Sequence, residues 1–170
     1  IFPEHPKVLE LKQVDMVSTV SSFGAVAVVR RHAKVFYYPY DAPSGQNSIM
    51  LVVRGKDIKE RREFIQAAVN THVELIKKAM DDFEWAFRLY AKDTGLPEPI
   101  LRQYLKNVDF NFRMDMGDLK GAARMLFEMG WAPKDLSGEM EKAVDYSFLE
   151  RATGLGVRDL SRWRSDKLKF

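Results

Sequence analysis

Three short runs set the early pattern of this chain. Val14–Thr19, Lys34–Tyr38 and Ile49–Arg54 are rich in β-branched and aromatic residues. Runs of that length and composition predict strands, the first of them buried. Between the first two, Phe23–Arg31 is apolar nearly all round and ends on two arginines. It predicts a buried helix whose cationic end offsets the negative pole of the helix dipole. Pro39, Pro43 and Gly45 turn the chain into a polar loop after the second run. Before all of this, Val8, Leu9 and Leu11 form a short amphipathic stretch that reads as the end of a helix.

From Asp57 the apolar period changes from two to 3.6. Ile65, Val69, His72, Val73, Ile76, Met80 and Phe83 fall on one helical face, and Phe83, Phe87 and Tyr90 carry a stripe on to Ala91. Gly95 predicts a left-handed helix terminus, and Pro97 the start of the next helix. Ile100, Leu101, Tyr104 and Leu105 are its expected buried face. Asp115 is expected to cap a further helix with Leu119, Ala122, Leu126 and Met129 inside, ended by Gly130. Leu136–Leu149 is a weaker helical pattern.

Composition narrows the class. A chain of 170 residues, 46% apolar and 30% charged, can bury the core of an ordinary globular domain. No apolar run reaches the length of a membrane span. The absence of cysteine excludes disulfides, thiolate metal sites and a thiol nucleophile in this sequence. The formal charge of +3 is uneven. Residues 151–170 hold six Lys/Arg against two acids, whereas residues 1–150 hold 21 against 22. The excess therefore sits in a basic tail, read either as a solvated terminus or as a contact for nucleic acid, anionic lipid or an acidic partner. No aromatic-interleaved basic face appears in the body, so nucleic acid is not an expected partner. The opening IFPEHPK lacks the basic start and apolar core of an export signal, so an exported form is expected to have lost its signal or to carry it upstream.

Six short motifs occur in a telling order: Val14-Asp15, Tyr38-Pro39-Tyr40-Asp41, Leu51-Val52-Val53-Arg54, Thr71-His72-Val73-Glu74, Thr94-Gly95-Leu96-Pro97 and Asp145-Tyr146-Ser147-Phe148-Leu149. Over residues 14–154 they resemble the second half of the nitrate/sulfonate/taurine-type substrate-binding proteins of ABC transporters. Those share a fold with the thiamine-pyrimidine-precursor group. The resemblance implies an α/β fold of the type II periplasmic-binding-protein kind. Residues 1–48 would be the end of the second lobe. Residues 49–150 would be a hinge strand and helical return to the first lobe, and 151–170 a basic tail. It also implies a periplasmic or extracytoplasmic solute-binding component of an importer, with a small-molecule solute and an ABC permease as partners. The first lobe would come from outside this sequence or from another subunit. Two alternatives follow from the same resemblance: a repurposed binding-protein-like subunit of a larger complex, and a thiamine-pyrimidine-synthase-like enzyme. The Trp-Glu-Pro that many relatives carry after the first strand is replaced by Val20-Ser21-Ser22, with Phe23 retained.

Candidate chemistry follows from topology. Ligands of open α/β sheets sit beyond the carboxyl ends of strands, and helix N-termini favour anions. This points to Ser18, Thr19, Ser21, Ser22 and Phe23, where hydroxyls add donors without bulk. Ser21 or Ser22 equally suits a plain helix cap. Tyr40, Asp41 and Ser44 of the aromatic, polar loop suit a small polar or heteroaromatic solute, or a simple surface turn. His72 reads as a hydrogen-bonded core histidine. Asp81, Asp82, Glu84, Asp115 and Asp118 read as acids at helix starts. No catalytic triad order, phosphate-binding glycine loop or metal-ligand spacing occurs, so neither a catalytic role nor a cofactor or metal is expected.

Overall fold

The computed structural model describes residues 2–38, 49–106 and 108–162. Most of these residues are helical. They form α1 (His5–Glu10), α2 (Ser21–Val29), α3 (Gly55–Glu60), α4 (Arg62–Asp81), α5 (Phe83–Thr94), α6 (Glu98–Leu105), α7 (Met116–Glu128), α8 (Met140–Ala143), α9 (Ser147–Thr153) and α10 (Val157–Leu160). The expected α/β character is met only in its helical part. Residues 16–20, 33–38 and 50–54 run without turn or bend, yet none pairs into a sheet among the described residues. A strand needs a neighbour across its backbone. Local sequence supplies the tendency to extend, and the partner must come from elsewhere in the fold.

The described residues divide into two compact units. The first contains residues 2–37, 78–106 and 108–110. Here α2 packs on α1 and α6, and α5 packs on α6. Its core is Ala25 and Ala27 of α2, Ala79, Ala86 and Phe87, then Ile100, Leu101, Leu105 and Phe110. The two alanines let α2 approach α6 closely. Phe83 and Phe87 meet with ring centroids 6.3 Å apart, and Tyr90 lies 5.9 Å from Tyr104 and 6.4 Å from Phe110. Arg102 lies over Phe87 at 4.4 Å while its Nε donates to Glu98 at 2.8 Å. The pairing with Glu98, then the charge of Glu84, holds this guanidinium above its ordinary pKa.

The second unit contains residues 38, 49–77 and 111–162. Its core is smaller: Ile65 and Val73 of α4 with Tyr146, Phe148 and Leu160, joined by the buried polar residues Gln66, Asp118 and Ser137. Gln66 Nε2 donates to the Phe148 carbonyl at 3.0 Å and to Asn70 at 2.8 Å. Arg62 lies over the Phe148 ring and donates to Ser147 Oγ at 2.8 Å. The run into α7 is tied to the end of α10 by the Met114 and Met116 amides, which donate to the Leu160 and Ser161 carbonyls at 3.0 Å.

Local signals mark several boundaries as expected. Gly95 ends α5 at φ 63°, and Gly130 follows α7 at φ 74°. Asp115 accepts from the Asp118 amide at 2.9 Å and opens α7. The continuous apolar stripe from Ile65 to Ala91 is nevertheless cut at Asp82, whose carboxylate accepts from the Trp85 amide at 2.9 Å and starts a new helix. Leu126 and Met129, expected inside, are exposed, as is every residue from Arg124 to Trp131, because only the first half of α7 is packed. Leu136–Leu149 is broken into a short 3-10 turn, α8 and the start of α9.

Candidate functional site

The start of α2 gathers the described part of the expected ligand site. Val20 is the N-cap, in extended backbone, and offers no capping side chain. Ser21 and Ser22 are therefore the first residues of the helix itself, which corrects their reading as caps. The first helical bonds run from the Phe23 and Gly24 amides to the Val20 carbonyl at 3.1 Å. Amides ahead of them point out of the helix end, with the positive pole of the dipole behind them. Ser18 is exposed, and Ser22 and Phe23 are half-buried. The Thr19 Oγ1 is enclosed and has no hydrogen-bond partner among the described residues. Its Cγ2 lies 3.5 Å from where a Cβ on Gly24 would sit, so its methyl packs against the helix. An enclosed hydroxyl without a partner forfeits its hydration, and a bound acceptor would restore the bond. Tyr40, Asp41 and Ser44 lie outside the described residues, as do Arg164, Lys167 and Lys169 of the basic tail.

The other end of α2 carries a cluster that the sequence reading did not single out. Arg30, Arg31 and Lys34 are exposed and make no ion pair among the described residues. A shallow open depression is lined by Val28, Arg31, His32, Ala33, Lys34 and Val35. Glu10, which feels the charge of this cluster, is already held by Lys7 Nζ at 3.0 Å. Its carboxyl is drawn below the ordinary value by that bond first, then by the Lys7 charge and, more weakly, by His32 and Arg30. Four basic side chains in five residues, directly before an aromatic run, were the available signal.

Elsewhere the chemistry is sparse. His72 on α4 is half-buried, and burial lowers its pKa, so the neutral ring is favoured. Asp82 and Asp115 are caps, as their positions suggested. A second shallow groove, lined by Val52, Val53, Arg54, Asp57, Arg61, Phe64 and Ile65, is bridged by the Arg54–Asp57 ion pair at 2.7 Å. Among the described residues no three His, Asp or Glu side chains could hold a metal ion together. No helix among them is long and apolar enough to cross a membrane. Comparison of the chain with protein-family models, with curated proteins and with solved structures finds no match in any of the three.

Proposed function

We propose that this chain is the end of the second lobe, and the helical return to the first, of a two-lobed solute-binding protein of the type II periplasmic-binding-protein kind. It resembles the nitrate/sulfonate/taurine group. Its ligand is a small anionic or heteroaromatic solute, bound against the start of α2 and passed to an ABC permease. The carrying observation is the helix start itself. The extended run 16–20 leads directly into α2, with Ser18 and the unpartnered Thr19 hydroxyl just ahead of its first turn and Ser22 within it, which supports an anion at that helix start. The strand-like runs at 14–20 and 49–54 find their sheet neighbours in the remainder of such a fold. Hinge closure about residues 49–54 is the expected capture step.

The test is thermal unfolding of the chain with taurine, nitrate, inorganic phosphate and a thiamine-type pyrimidine in turn. One of them is expected to raise the midpoint in a concentration-dependent way, and Thr19→Val or Ser22→Ala to abolish that rise. No response to any of the four, or a response that survives both substitutions, removes the helix start as the site.

A second reading, a binding-protein-like subunit of a larger complex, draws support from apolar surface left open. Phe36 is 91%, Ile49 93% and Val52 83% exposed. A native mass spectrum of the protein from its source separates the two. A single chain above 19.6 kDa that releases a small molecule favours the solute reading. A chain of that mass held to other subunits favours the complex.

A further inference from the structure

We infer that Lys34–Tyr37 is a docking edge for an extended, acidic segment of a partner polypeptide. The inference does not use the solute reading; it needs only the exposed edge and its charge. Residues 33–38 run without turn or bend, and beyond the Ala33 amide bond to the Ala27 carbonyl at 3.3 Å no backbone hydrogen bond engages them among the described residues. Among the described residues their amides and carbonyls form an open ladder of the kind that a further strand pairs with. Alternation puts Phe36 on one side of the run and Val35 and Tyr37 on the other, and all three are exposed. A docked helix would cover one of these sides. An added strand lies in the plane of the run, and its own alternating side chains cover both.

Charge complementarity fixes the chemistry of that strand. Arg30, Arg31 and Lys34 stand at the head of the run without an ion pair among the described residues, and His32 lies beside them. Glu10, the acid that senses this cluster, is engaged by Lys7. The depression between Arg31, Lys34 and Val28 is open and shallow, and suits carboxylate side chains arriving beside a paired backbone better than an enclosed small molecule. A strand of valine and threonine with glutamates near one end satisfies all three features: backbone, apolar faces and charge.

The experiment titrates the full chain into a fluorescein-labelled peptide of alternating valine and threonine bearing glutamates at one end, followed by anisotropy. A counterpart with lysines in place of the glutamates, and phosphatidylserine vesicles, are run alongside. The acidic peptide is expected to bind and to add β-type circular dichroism on mixing. Arg31→Gly folds at least as well, because Arg31 sits at φ 60° where glycine is at ease. It should nevertheless weaken binding by roughly twofold to fivefold, the range an exposed ion pair supports. Phe36→Pro removes a backbone donor from an exposed position and should abolish binding. Equal affinity for the lysine peptide, binding of the vesicles alone, or full affinity in Phe36→Pro would overturn the inference.

Discussion

Tyr146 Oη donates to the Met114 carbonyl at 2.6 Å, and that single bond closes the small core of the second unit. The Met114 amide is itself committed to the Leu160 carbonyl. One backbone residue therefore ties the start of α9 to α10 across the run that leads into α7. Tyr146→Phe keeps the ring and deletes the bond. It should cost about 1–2 kcal/mol, since the bond is part-buried and the carbonyl loses its partner. The phenol is pushed up from 10.0 to about 12, by burial first and then by the charge of Asp115. The folded state thus favours the protonated ring. Its contribution is complete below the unfolded value of about 10 and disappears as pH rises through about 12. Urea unfolding of both proteins near neutral pH and again in that alkaline window checks this: the gap between them should narrow only in the window.

Helix ends offer a paired test. Both α1 and α2 finish on a non-glycine residue with positive φ, Lys12 at 53° and Arg31 at 60°. At the first, the Lys12 and Gln13 amides donate back to the Leu9 and Val8 carbonyls at 3.1 and 2.9 Å. That geometry favours glycine, because a Cβ crowds the backbone in the left-handed region. Lys12→Gly is expected to stabilise the protein by up to about 1 kcal/mol. The net gain is less than the relieved strain, because glycine also loosens the unfolded chain. Gly95→Ala reverses the logic at φ 63°, where nothing lies within 4 Å of the added Cβ. Any loss, expected at about 1 kcal/mol, is then conformational rather than steric. Denaturation midpoints for the two variants should move in opposite directions.

The same comparison explains what could be read from the sequence. Gly95, Gly130 and Asp115 were legible because a turn or cap is decided within four residues. That Ser18, Thr19, Ser21, Ser22 and Phe23 share one helix start follows from their closeness in the chain, whereas a role in binding is carried by the proposal alone. At Asp82 the two signals compete: the apolar stripe runs through it, while an acid at that position suits a helix start, and the carboxylate bond to the Trp85 amide decides for the break. The exposure of Leu126 and Met129 was not legible, because periodicity gives the apolar face of a helix but not how far along it a neighbour packs. Residues 14–19, 34–38 and 49–54 carry strand-like composition, but pairing is decided by what lies beside a strand in space. The cluster at Arg30–Lys34 was passed over because two arginines at a helix end already have a local explanation.

Gln66 should be among the least tolerant polar positions. It is 3% exposed, and its amide nitrogen serves both the Phe148 carbonyl and Asn70 Oδ1. Gln66→Met matches its volume and removes both donors. A loss of about 1–3 kcal/mol is expected, because a buried carbonyl is left without its partner. Gln66→Glu should be worse at neutral pH, where the charged carboxylate cannot donate to either oxygen, and should partly recover in acid as the carboxyl protonates. A urea midpoint for Gln66→Glu that is flat across that acid range would rule the donor role out.

Asp115 carries two separable effects. Its carboxylate accepts from the Asp118 amide at 2.9 Å, and its charge is the second cause of the raised Tyr146 phenol. Asp115→Asn retains a side-chain oxygen at the N-cap and removes the charge. The helix should keep most of its stability, because asparagine caps about as well as aspartate, while Tyr146 should ionise at lower pH than in the parent. Asp115→Ala removes the oxygen as well and should cost about 1 kcal/mol, with the same direction of change at Tyr146. The two readouts are independent: the unfolding midpoint reports the cap, and tyrosinate absorbance reports the charge. A Tyr146 titration that moves in Asp115→Ala but stays put in Asp115→Asn would mean that α7 has shifted, and that the coupling runs through structure rather than charge.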